Sequence, residues 1–482
     1  MRRGLAYLGG LALASGQAPF GAWPLALAGL VLGVLLWLRA ATAREAAFQG
    51  WTFGVGAFSL SLIWLVNPFL VEPWRHGWMI PFALFLMSGG LALFWALAFG
   101  LAKRVTGRVP MLVALWGLAE LARGWVFTGF PWGLPAYIWL DTPVSFAAAF
   151  VGPYGLTTLT FGLAALLAVA VWRRRATALA PAAVLATLLA ISAVVLPQPP
   201  NATGPVVRVV QPNAPQHLKW HPDHIQTFFS RALTLTPSTR AELVIWPETS
   251  VPAPLYAAGP YLADVADAAG PAAAVVGLNR VDGMRGYNTA LMLAEGQIAA
   301  SYDKRHLVPF GEYMPMPWLL ERIGLRAFTA TNGYGYSAGE TLPLFDTPAG
   351  RALPLICYEA IFPRDLRSAE RPDFLMQLTN DAWFGTFSGP QQALAQARFR
   401  AIETGLPLVR AANTGVSAII DARGRVLTHV PLNQAGAIEA AMPRAAPPTV
   451  YAQWGETGAV FLLICFALLS RVPAQPRRGK GD

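Results

Sequence analysis

The sequence predicts a polytopic α-helical membrane bundle of about eight spans joined to an extracytoplasmic α/β domain. Of its 482 residues, 55% are hydrophobic and 13% are charged, and the mean hydropathy is +0.43, values typical of membrane proteins. Long uncharged runs lie before Pro197 and after Gly455, and a segment of ordinary globular composition separates them. These observations predict a membrane domain at 1–197, an outer domain at 201–454, a last transmembrane helix at 456–471 and a basic tail at 472–482.

Apolar runs long enough to cross about 30 Å of hydrocarbon define the predicted spans. They lie at about 4–20, 22–38, 50–70, 78–101, 109–127, 145–172, 178–196 and 457–470. The fifth run carries Glu120 and Arg123, one helical turn apart. Charges are costly in hydrocarbon unless they are paired, so we expect these two to form a structural pair at the outer end of the bundle. Binding of a lipid headgroup is the alternative role for them.

Basic residues predict the orientation, because short cytoplasmic loops collect lysine and arginine. They occur at every second loop, namely Arg2, Arg3; Arg39, Arg44; Lys103, Arg104, Arg108; Arg173, Arg174, Arg175; and Arg471, Arg477, Arg478, Lys480. Seven crossings, an outer domain and one more crossing produce this alternation. The net charge of +10 is then mostly topological, and we expect it to face anionic lipid rather than nucleic acid.

The first apolar run has two interpretations. Arg2 and Arg3 followed by a run ending in "ALASGQA" are compatible with a cleaved signal peptide. The following "SGQAPFGAWPLAL" favours a retained helix with a tight hairpin into the next span. Cleavage would leave the alternation of the other loops unchanged.

The middle segment has the pattern of a layered α/β domain. Runs such as "ELVIWPETS" and "ALPLICYEA" predict strands, and "HPDHIQTFFSRALTL" and "GPQQALAQARFRAIETG" predict helices. Glu248, Lys304 and Cys357 each stand at a predicted strand end, where loops carry chemistry on a rigid scaffold. Taken singly, a glutamate or lysine at such a position is more often a solvated loop residue.

Cys357 is one of only two cysteines in the chain. Exported domains normally keep cysteines as disulfides, but the other cysteine, Cys465, lies inside the last apolar run. A disulfide needs the two Cα atoms within about 7 Å, which is implausible for a strand-end loop and a membrane helix. We therefore expect Cys357 to be a reactive thiol and Cys465 to be a packing residue. A small buried hydrophobe is the alternative for Cys357.

A nucleophilic thiol needs a base and donors for the developing oxyanion. Glu248 is the candidate base, and Lys304 with a backbone N–H near Tyr358 would stabilise the oxyanion. His306 follows Lys304 closely, but nothing positions it against a hydroxyl. The six histidines and two cysteines show no ligand spacing, so the sequence predicts no metal site and no cofactor.

The order Glu, Lys, Cys at successive strand ends resembles the nitrilase (carbon–nitrogen hydrolase) superfamily, whose fold is an αββα sandwich. Flanking motifs narrow the resemblance: "WPETS", "YDKRHLVPFGEYMP", "ICYEAIFP", "TNDAWFG" and, in the membrane half, "AELARGWVFTGFPWG". They look like those of the apolipoprotein N-acyltransferases, integral membrane enzymes of bacterial lipoprotein maturation. The resemblance covers essentially the whole chain. One departure is Ala393, where relatives have a histidine.

The resemblance implies roles for individual residues. Cys357 matches the nucleophile, Glu248 the general base and Lys304 the oxyanion-stabilising lysine. The supporting active-site residues are Glu312, Tyr358 and Glu359. Trp220, in "HLKWHP", resembles the tryptophan of the family's substrate region.

The implied reaction moves an acyl chain from the sn-1 position of a phospholipid to the α-amino group of an S-diacylglyceryl cysteine, and phosphatidylethanolamine is the expected donor. A thioester on Cys357 is the intermediate, so ping-pong kinetics are expected. The resemblance also implies a monomer in the bacterial inner (cytoplasmic) membrane with its catalytic domain on the periplasmic face. Two alternatives stay open: a membrane-tethered nitrilase or amidase acting on a small C–N substrate, and a non-catalytic transporter or scaffold.

The segment after Lys304 is long and unusually apolar, with Met314, Met316 and Trp318 among its residues. An exposed apolar segment beside a membrane favours membrane contact. We therefore predict that these three residues bind substrate on a mobile arm that gates acyl-chain entry. A core-packing loop is the alternative.

Overall fold

The computed structural model describes residues 1–174, 179–196, 204–315, 335–367 and 370–472. The chain divides into two compact units. The first comprises Met1–Leu62, Phe82–Ala193 and Trp454–Asp482, and the second comprises Ile63–Pro81 and Val194–Gln453.

α-Helices occupy most of the first 196 residues. They are α1 (Arg2–Ala14), α2 (Trp23–Leu38), α3 (Ala43–Ser61), α4 (Pro73–His76), α5 (Ile80–Val105), α6 (Val109–Arg123), α7 (Ala148–Arg173) and α8 (Ala180–Val195). The later helices are α9 (Gln216–Lys219), α10 (Pro222–Leu235), α11 (Gly259–Ala269), α12 (Gly389–Thr404), α13 (Val450–Trp454) and α14 (Thr457–Leu469).

Every apolar segment predicted as a span overlaps one of these helices. Within the described residues, Pro73–Val105 and Pro143–Arg173 are long and apolar enough to cross a membrane, and the bent pair Ala43–Ser61 and Ile63–Leu70 would be a third candidate. The helices Trp23–Leu38, Ala180–Val195 and Thr457–Leu469 are apolar but shorter. The count of about eight crossings therefore stays a prediction.

The first unit packs its helices closely through glycines. A Cβ atom on Gly10 of α1 would lie 2.0 Å from the carbonyl oxygen of Phe53, and one on Gly56 of α3 would lie 2.2 Å from that of Tyr7. Only glycine permits such close approach of two backbones. Helices in membranes commonly associate in this way, because lipid provides no hydrophobic driving force between them.

Glu120 and Arg123 form the predicted pair. Both are fully buried on α6, and Arg123 Nη2 lies 2.6 Å from Glu120 Oε2. Trp95 donates its indole N–H to Glu120, and Arg123 donates to the carbonyl oxygen of Trp132. The pair therefore satisfies its buried charges within the first unit and ties α6 to the chain that follows it.

The second unit contains two six-stranded sheets. The strands are β1 (Val206–Gln211), β2 (Leu243–Ile245), β3 (Ala273–Asp282), β4 (Arg285–Ala294), β5 (Gln297–Asp303), β6 (Phe345–Thr347), β7 (Gly350–Ile356), β8 (Phe374–Thr379), β9 (Leu408–Ala412), β10 (Ser417–Ile420), β11 (Val426–Val430) and β12 (Gly436–Ala441). Their orders are β12-β1-β2-β3-β4-β5 and β11-β10-β9-β8-β7-β6.

The two sheets pack face to face. Val209, Ile245 and Val275 of the first sheet share one buried cluster with Met376 and Val409 of the second. On the outer faces, α10 and α11 cover the first sheet and α12 covers the second. This is an α/β/β/α layering, and it confirms the predicted layered α/β domain.

Strand direction places the candidate residues at matching sheet edges. β1, β2 and β3 are parallel, and β5 runs the same way because it is antiparallel to β4, which is antiparallel to β3. In the second sheet β7, β8 and β9 are parallel. Glu248 follows β2, Lys304 follows β5 and Cys357 follows β7, so each stands at a carboxyl end.

Candidate active site

The structure brings Glu248, Lys304 and Cys357 together. The Lys304 ammonium lies 3.6 Å from Glu248 Oε1, and both side chains are buried. The Cys357 thiol is electrostatically coupled to both of these charges. A thiol, a carboxylate and an ammonium thus meet in one place, although 109 residues separate Glu248 from Cys357 along the chain.

The Glu248 carboxylate is held from two directions. The side-chain amide of Asn288 on β4 donates to Oε1 at 2.6 Å, and the backbone N–H of Asn380 donates to Oε2 at 2.8 Å. Asn288 belongs to the first sheet, and Asn380 directly follows β8 of the second. The candidate base is therefore oriented by both sheets, as a group that must meet a proton at a defined place requires.

Lys304 is a buried cation between two carboxylates. It donates to Glu312 Oε1 at 2.8 Å, and Glu312 in turn accepts the backbone N–H of Val308 at 2.8 Å. Burial alone would lower the pKa of Lys304, but the charges of Glu312 and Glu248 outweigh it and raise that pKa above its ordinary value. Lys304 therefore remains an ammonium at physiological pH and can face a developing oxyanion.

Cys357 occupies a strained position directly after β7. Its φ is 50°, a left-handed value uncommon for residues other than glycine, and it begins a short 3₁₀ turn, Cys357–Ile361. Burial and then the charge of Glu248 raise the pKa of the thiol to about 12, although Lys304 opposes them. The resting thiol is therefore neutral at pH 7, and a neighbouring base must take its proton before it can attack.

Two neighbouring strands hold Cys357 through a buried polar network that the sequence did not reveal. Gln377 donates to the Cys357 carbonyl oxygen at 3.0 Å, and the Thr379 side chain bonds the thiol. Arg410 on β9 lies behind both and donates to Gln377 and to Asp381, each at 2.5 Å. Thr379 donates to the other oxygen of Asp381 at 2.9 Å, which closes the network.

The sequence signal for this network was weak. Arg410 is a charged residue in the otherwise apolar run "PLVRAANTG", which indicates a buried charge that needs partners. Only the pairing of β8 with β9 identifies those partners. Arg410 and Asp381 are both fully buried.

Glu359 links the Cys357 turn to the Lys304 loop. One carboxylate oxygen accepts the Tyr302 hydroxyl at 2.6 Å and the backbone N–H groups of Arg305 and His306 at 2.8 and 3.1 Å. The other accepts the N–H of Ile356 at 2.7 Å. Burial raises the pKa of Glu359, while these bonds oppose the shift. Glu359 thus positions two loops rather than facing the thiol as a base.

Tyr358 is buried beside Glu359 and packs by edge against Phe362 and His306, with ring centroids 5.0 and 5.7 Å away. Burial raises the pKa of its hydroxyl, so it remains neutral. Tyr358 therefore helps to shape the wall behind the Cys357 turn.

The predicted substrate-binding residues have different environments. Trp220 is 44% exposed after α9, whereas Met314 is 8% exposed and packs inward. Met316 and Trp318 lie outside the described residues. The role of an arm in acyl-chain entry stays a prediction.

A second buried lysine, Lys219, also approaches the site and was not singled out from the sequence. Its ammonium donates to the Glu248 carbonyl oxygen at 3.1 Å and to the Thr249 hydroxyl at 2.8 Å. Burial lowers the pKa of Lys219 to about 8, against the opposing charges of Glu248 and Cys357. Its position beside Trp220 in "HLKWHP" was the available signal.

Comparison with known proteins identifies the family. The model of the apolipoprotein N-acyltransferase N-terminal domain matches residues 9–166, and the carbon–nitrogen hydrolase model matches residues 201–446. The apolipoprotein N-acyltransferase of Caulobacter vibrioides is 37% identical over 99% of this chain and 95% of its own length. That of Bradyrhizobium diazoefficiens is 35% identical over 94% and 91%. The chain belongs to the apolipoprotein N-acyltransferase family.

Solved structures are similar to about half of this apolipoprotein N-acyltransferase family member. A CN-hydrolase superfamily protein of Xanthomonas campestris covers 50% of this chain and 90% of its own, with 20% identity and a TM-score of 0.37. An amidase of Nesterenkonia sp. covers 51% and 93%, with 21% identity and a TM-score of 0.36.

Proposed function

We propose that the protein transfers the sn-1 acyl chain of a phospholipid to the α-amino group of the N-terminal S-diacylglyceryl cysteine of apolipoproteins. The observation that carries the proposal is the meeting of Glu248, Lys304 and Cys357 at strand ends of the two sheets, in a chain of this family. Phosphatidylethanolamine is the proposed donor. The proposed setting is the bacterial inner membrane, with about eight spans, a periplasmic catalytic domain and a monomeric enzyme.

In the first half-reaction Glu248 takes the thiol proton, and the Cys357 sulfur attacks the ester carbonyl carbon. A C–S bond forms, and the Lys304 ammonium stabilises the negative oxygen of the tetrahedral intermediate. When this collapses, the C–O bond breaks and Glu248 returns its proton to the departing lysophospholipid oxygen. The product is a thioester on Cys357.

In the second half-reaction the neutral α-amino group of the acceptor attacks the thioester carbon. The C–N bond forms while Glu248 accepts the proton of the amine, and the C–S bond then breaks. That proton returns to the Cys357 sulfur, which restores the enzyme. The raised pKa of Cys357, about 12, suits this exchange because the resting sulfur holds its proton.

The test uses purified full-length protein in nanodiscs with phosphatidylethanolamine that carries different chains at sn-1 and sn-2. Intact-mass spectrometry should detect the sn-1 chain on Cys357 as an adduct that neutral hydroxylamine removes. Adding a diacylglyceryl-cysteine peptide should move the same chain to the peptide amine.

Cys465→Ala is the matched control, because it removes the other cysteine of the chain and should retain the adduct. Cys357→Ala should abolish both adduct and transfer. Transfer by Cys357→Ala at the wild-type rate would refute the mechanism, and release of free fatty acid with no peptide acylation would favour a hydrolase instead.

A further inference from the structure

Lys219 is a buried cation that forms no ion pair among the described residues, although the charge of Glu248 acts on it from a distance. It is the last residue of α9 and 6% exposed. Its two hydrogen bonds go to neutral oxygens, the Glu248 carbonyl and the Thr249 hydroxyl. Its ammonium also lies over the ring of Trp220, 5.3 Å from the centroid, and this contact supplies no negative charge either.

An ammonium in this state is costly, since burial removes its hydration and neutral oxygens with a distant carboxylate replace it only in part. The lowered pKa of Lys219, about 8, is the expected response to that burial. A buried lysine of this kind beside a candidate base is typical of a binding or catalytic site rather than of a packed core. A bound anion would supply the missing charge.

Lys219 also lines a cavity that reaches Glu248. The other walls are mostly apolar and include Trp220, Ile225, Phe228 and Pro252. A cavity with one cation and apolar walls suits the junction between the charged and the hydrocarbon parts of an amphiphile. Water-soluble anions would leave these walls unused.

We propose that Lys219 binds the phosphate of the phospholipid acyl donor in this cavity. The inference rests on the proposed function. Of the two substrates in that reaction, the donor carries a phosphate on the same glycerol as the reacting ester, whereas the reacting group of the acceptor is an amine that an ammonium repels when protonated. The cation therefore selects the donor and brings its ester toward Cys357 beside Glu248.

The experiment compares two acyl donors in the full-length protein. One is phosphatidylethanolamine, and the other is the p-nitrophenyl ester of the same fatty acid, which has no phosphate. Lys219→Met should lower kcat/KM for acylation of Cys357 by phosphatidylethanolamine at least about tenfold, mainly through KM, because a charge-assisted contact is lost. The value for the nitrophenyl ester should fall less than about threefold, and Lys219→Arg should restore most of the phospholipid activity.

Thr249→Val is the matched control, because it removes the hydroxyl that Lys219 binds but keeps the cation. Any decrease in kcat/KM that it causes should be equal for the two donors. Glycerophosphoethanolamine, the donor without acyl chains, should inhibit acylation by the nitrophenyl ester in the wild type and much more weakly in Lys219→Met. This comparison needs no phospholipid turnover.

An equal loss with both donors in Lys219→Met would show that Lys219 only holds the Glu248 turn, and it would overturn the proposal. Equal inhibition of both proteins by glycerophosphoethanolamine would do the same. Failure of the proposed function has a different signature: the wild type would then be acylated by neither donor, or by the nitrophenyl ester alone.

Discussion

The Lys304 ammonium donates a hydrogen bond to Glu312 at 2.8 Å and lies farther, at 3.6 Å, from Glu248. Glu312 is therefore the main counter-ion of Lys304, which leaves Glu248 free for the proton transfer that we propose for it. Asn288 and the Asn380 N–H take the place of Lys304 as the close donors to Glu248. This division gives each carboxylate a separate task.

Glu312→Gln should slow acylation of Cys357 by about 100-fold. Glu312 raises the pKa of Lys304, so its removal lowers that pKa and weakens the ammonium that we propose stabilises the oxyanion. The rate is measured by intact mass after rapid mixing with a nitrophenyl ester. Glu340→Gln, an exposed substitution in the same region, is the control and should match the wild type. A Glu312→Gln rate within about twofold of the control would contradict this assignment.

Changes around Glu359 should have graded effects. Tyr302→Phe removes one of its four donors and should cost about 1 kcal/mol of unfolding free energy. Glu359→Gln should cost more, because an amide NH₂ would face a backbone N–H. Glu359→Ala should cost most, since it leaves buried N–H groups of both loops unpaired. The unfolding temperature and the rate of Cys357 acylation should both decrease in this order. A larger loss of acylation in Tyr302→Phe than in Glu359→Ala would count against the positioning role of Glu359.

Glu248→Gln should separate thiol ionisation from turnover. Burial and then Glu248 raise the pKa of Cys357 to about 12, so loss of the glutamate charge should move the thiol titration to lower pH. Alkylation by iodoacetamide, followed from pH 6 to 11 in a Cys465→Ala background, should therefore begin at lower pH in the variant. Acylation by the phospholipid should nevertheless fall by about 10²- to 10⁴-fold, because the base is missing. The same pH dependence of alkylation in the variant and the wild type would show that Glu248 does not act on the thiol.

Gly277→Ala should disturb the turn that carries Glu248. A Cβ atom on Gly277 of β3 would lie 2.4 Å from the Thr249 nitrogen and 2.8 Å from the Glu248 Cα. We expect acylation to fall more than about tenfold, since a small displacement of a catalytic group is enough for such a loss. Gly286→Ala on β4 is the matched control, because a Cβ there meets only the Tyr336 ring at 3.7 Å. Equal activity of the two variants would mean that the turn tolerates the shift.

Local sequence patterns were sufficient for the helices, for the layered α/β domain and for the chain positions of Glu248, Lys304 and Cys357. Apolar periodicity and strand-end polar residues are local signals. They predict a helix or a strand without knowledge of its tertiary contacts. The Glu120–Arg123 pair was also predictable, because its members are one helical turn apart on a single helix.

Tertiary structure alone decided which residues surround these three. Arg410 reaches Asp381 and Gln377 because β9 pairs with β8, and the Asn380 N–H reaches Glu248 across 132 positions of the chain. It also determined the contacts of Glu359, whose four donors come from β5, the loop after β5 and the last residue of β7. The burial of the Lys219 ammonium beside Glu248, with hydrogen bonds only to neutral oxygens, likewise depends on the folded structure. A sequence states which charges exist, but the free energy of each charge depends on its burial and its partners, and folding determines both.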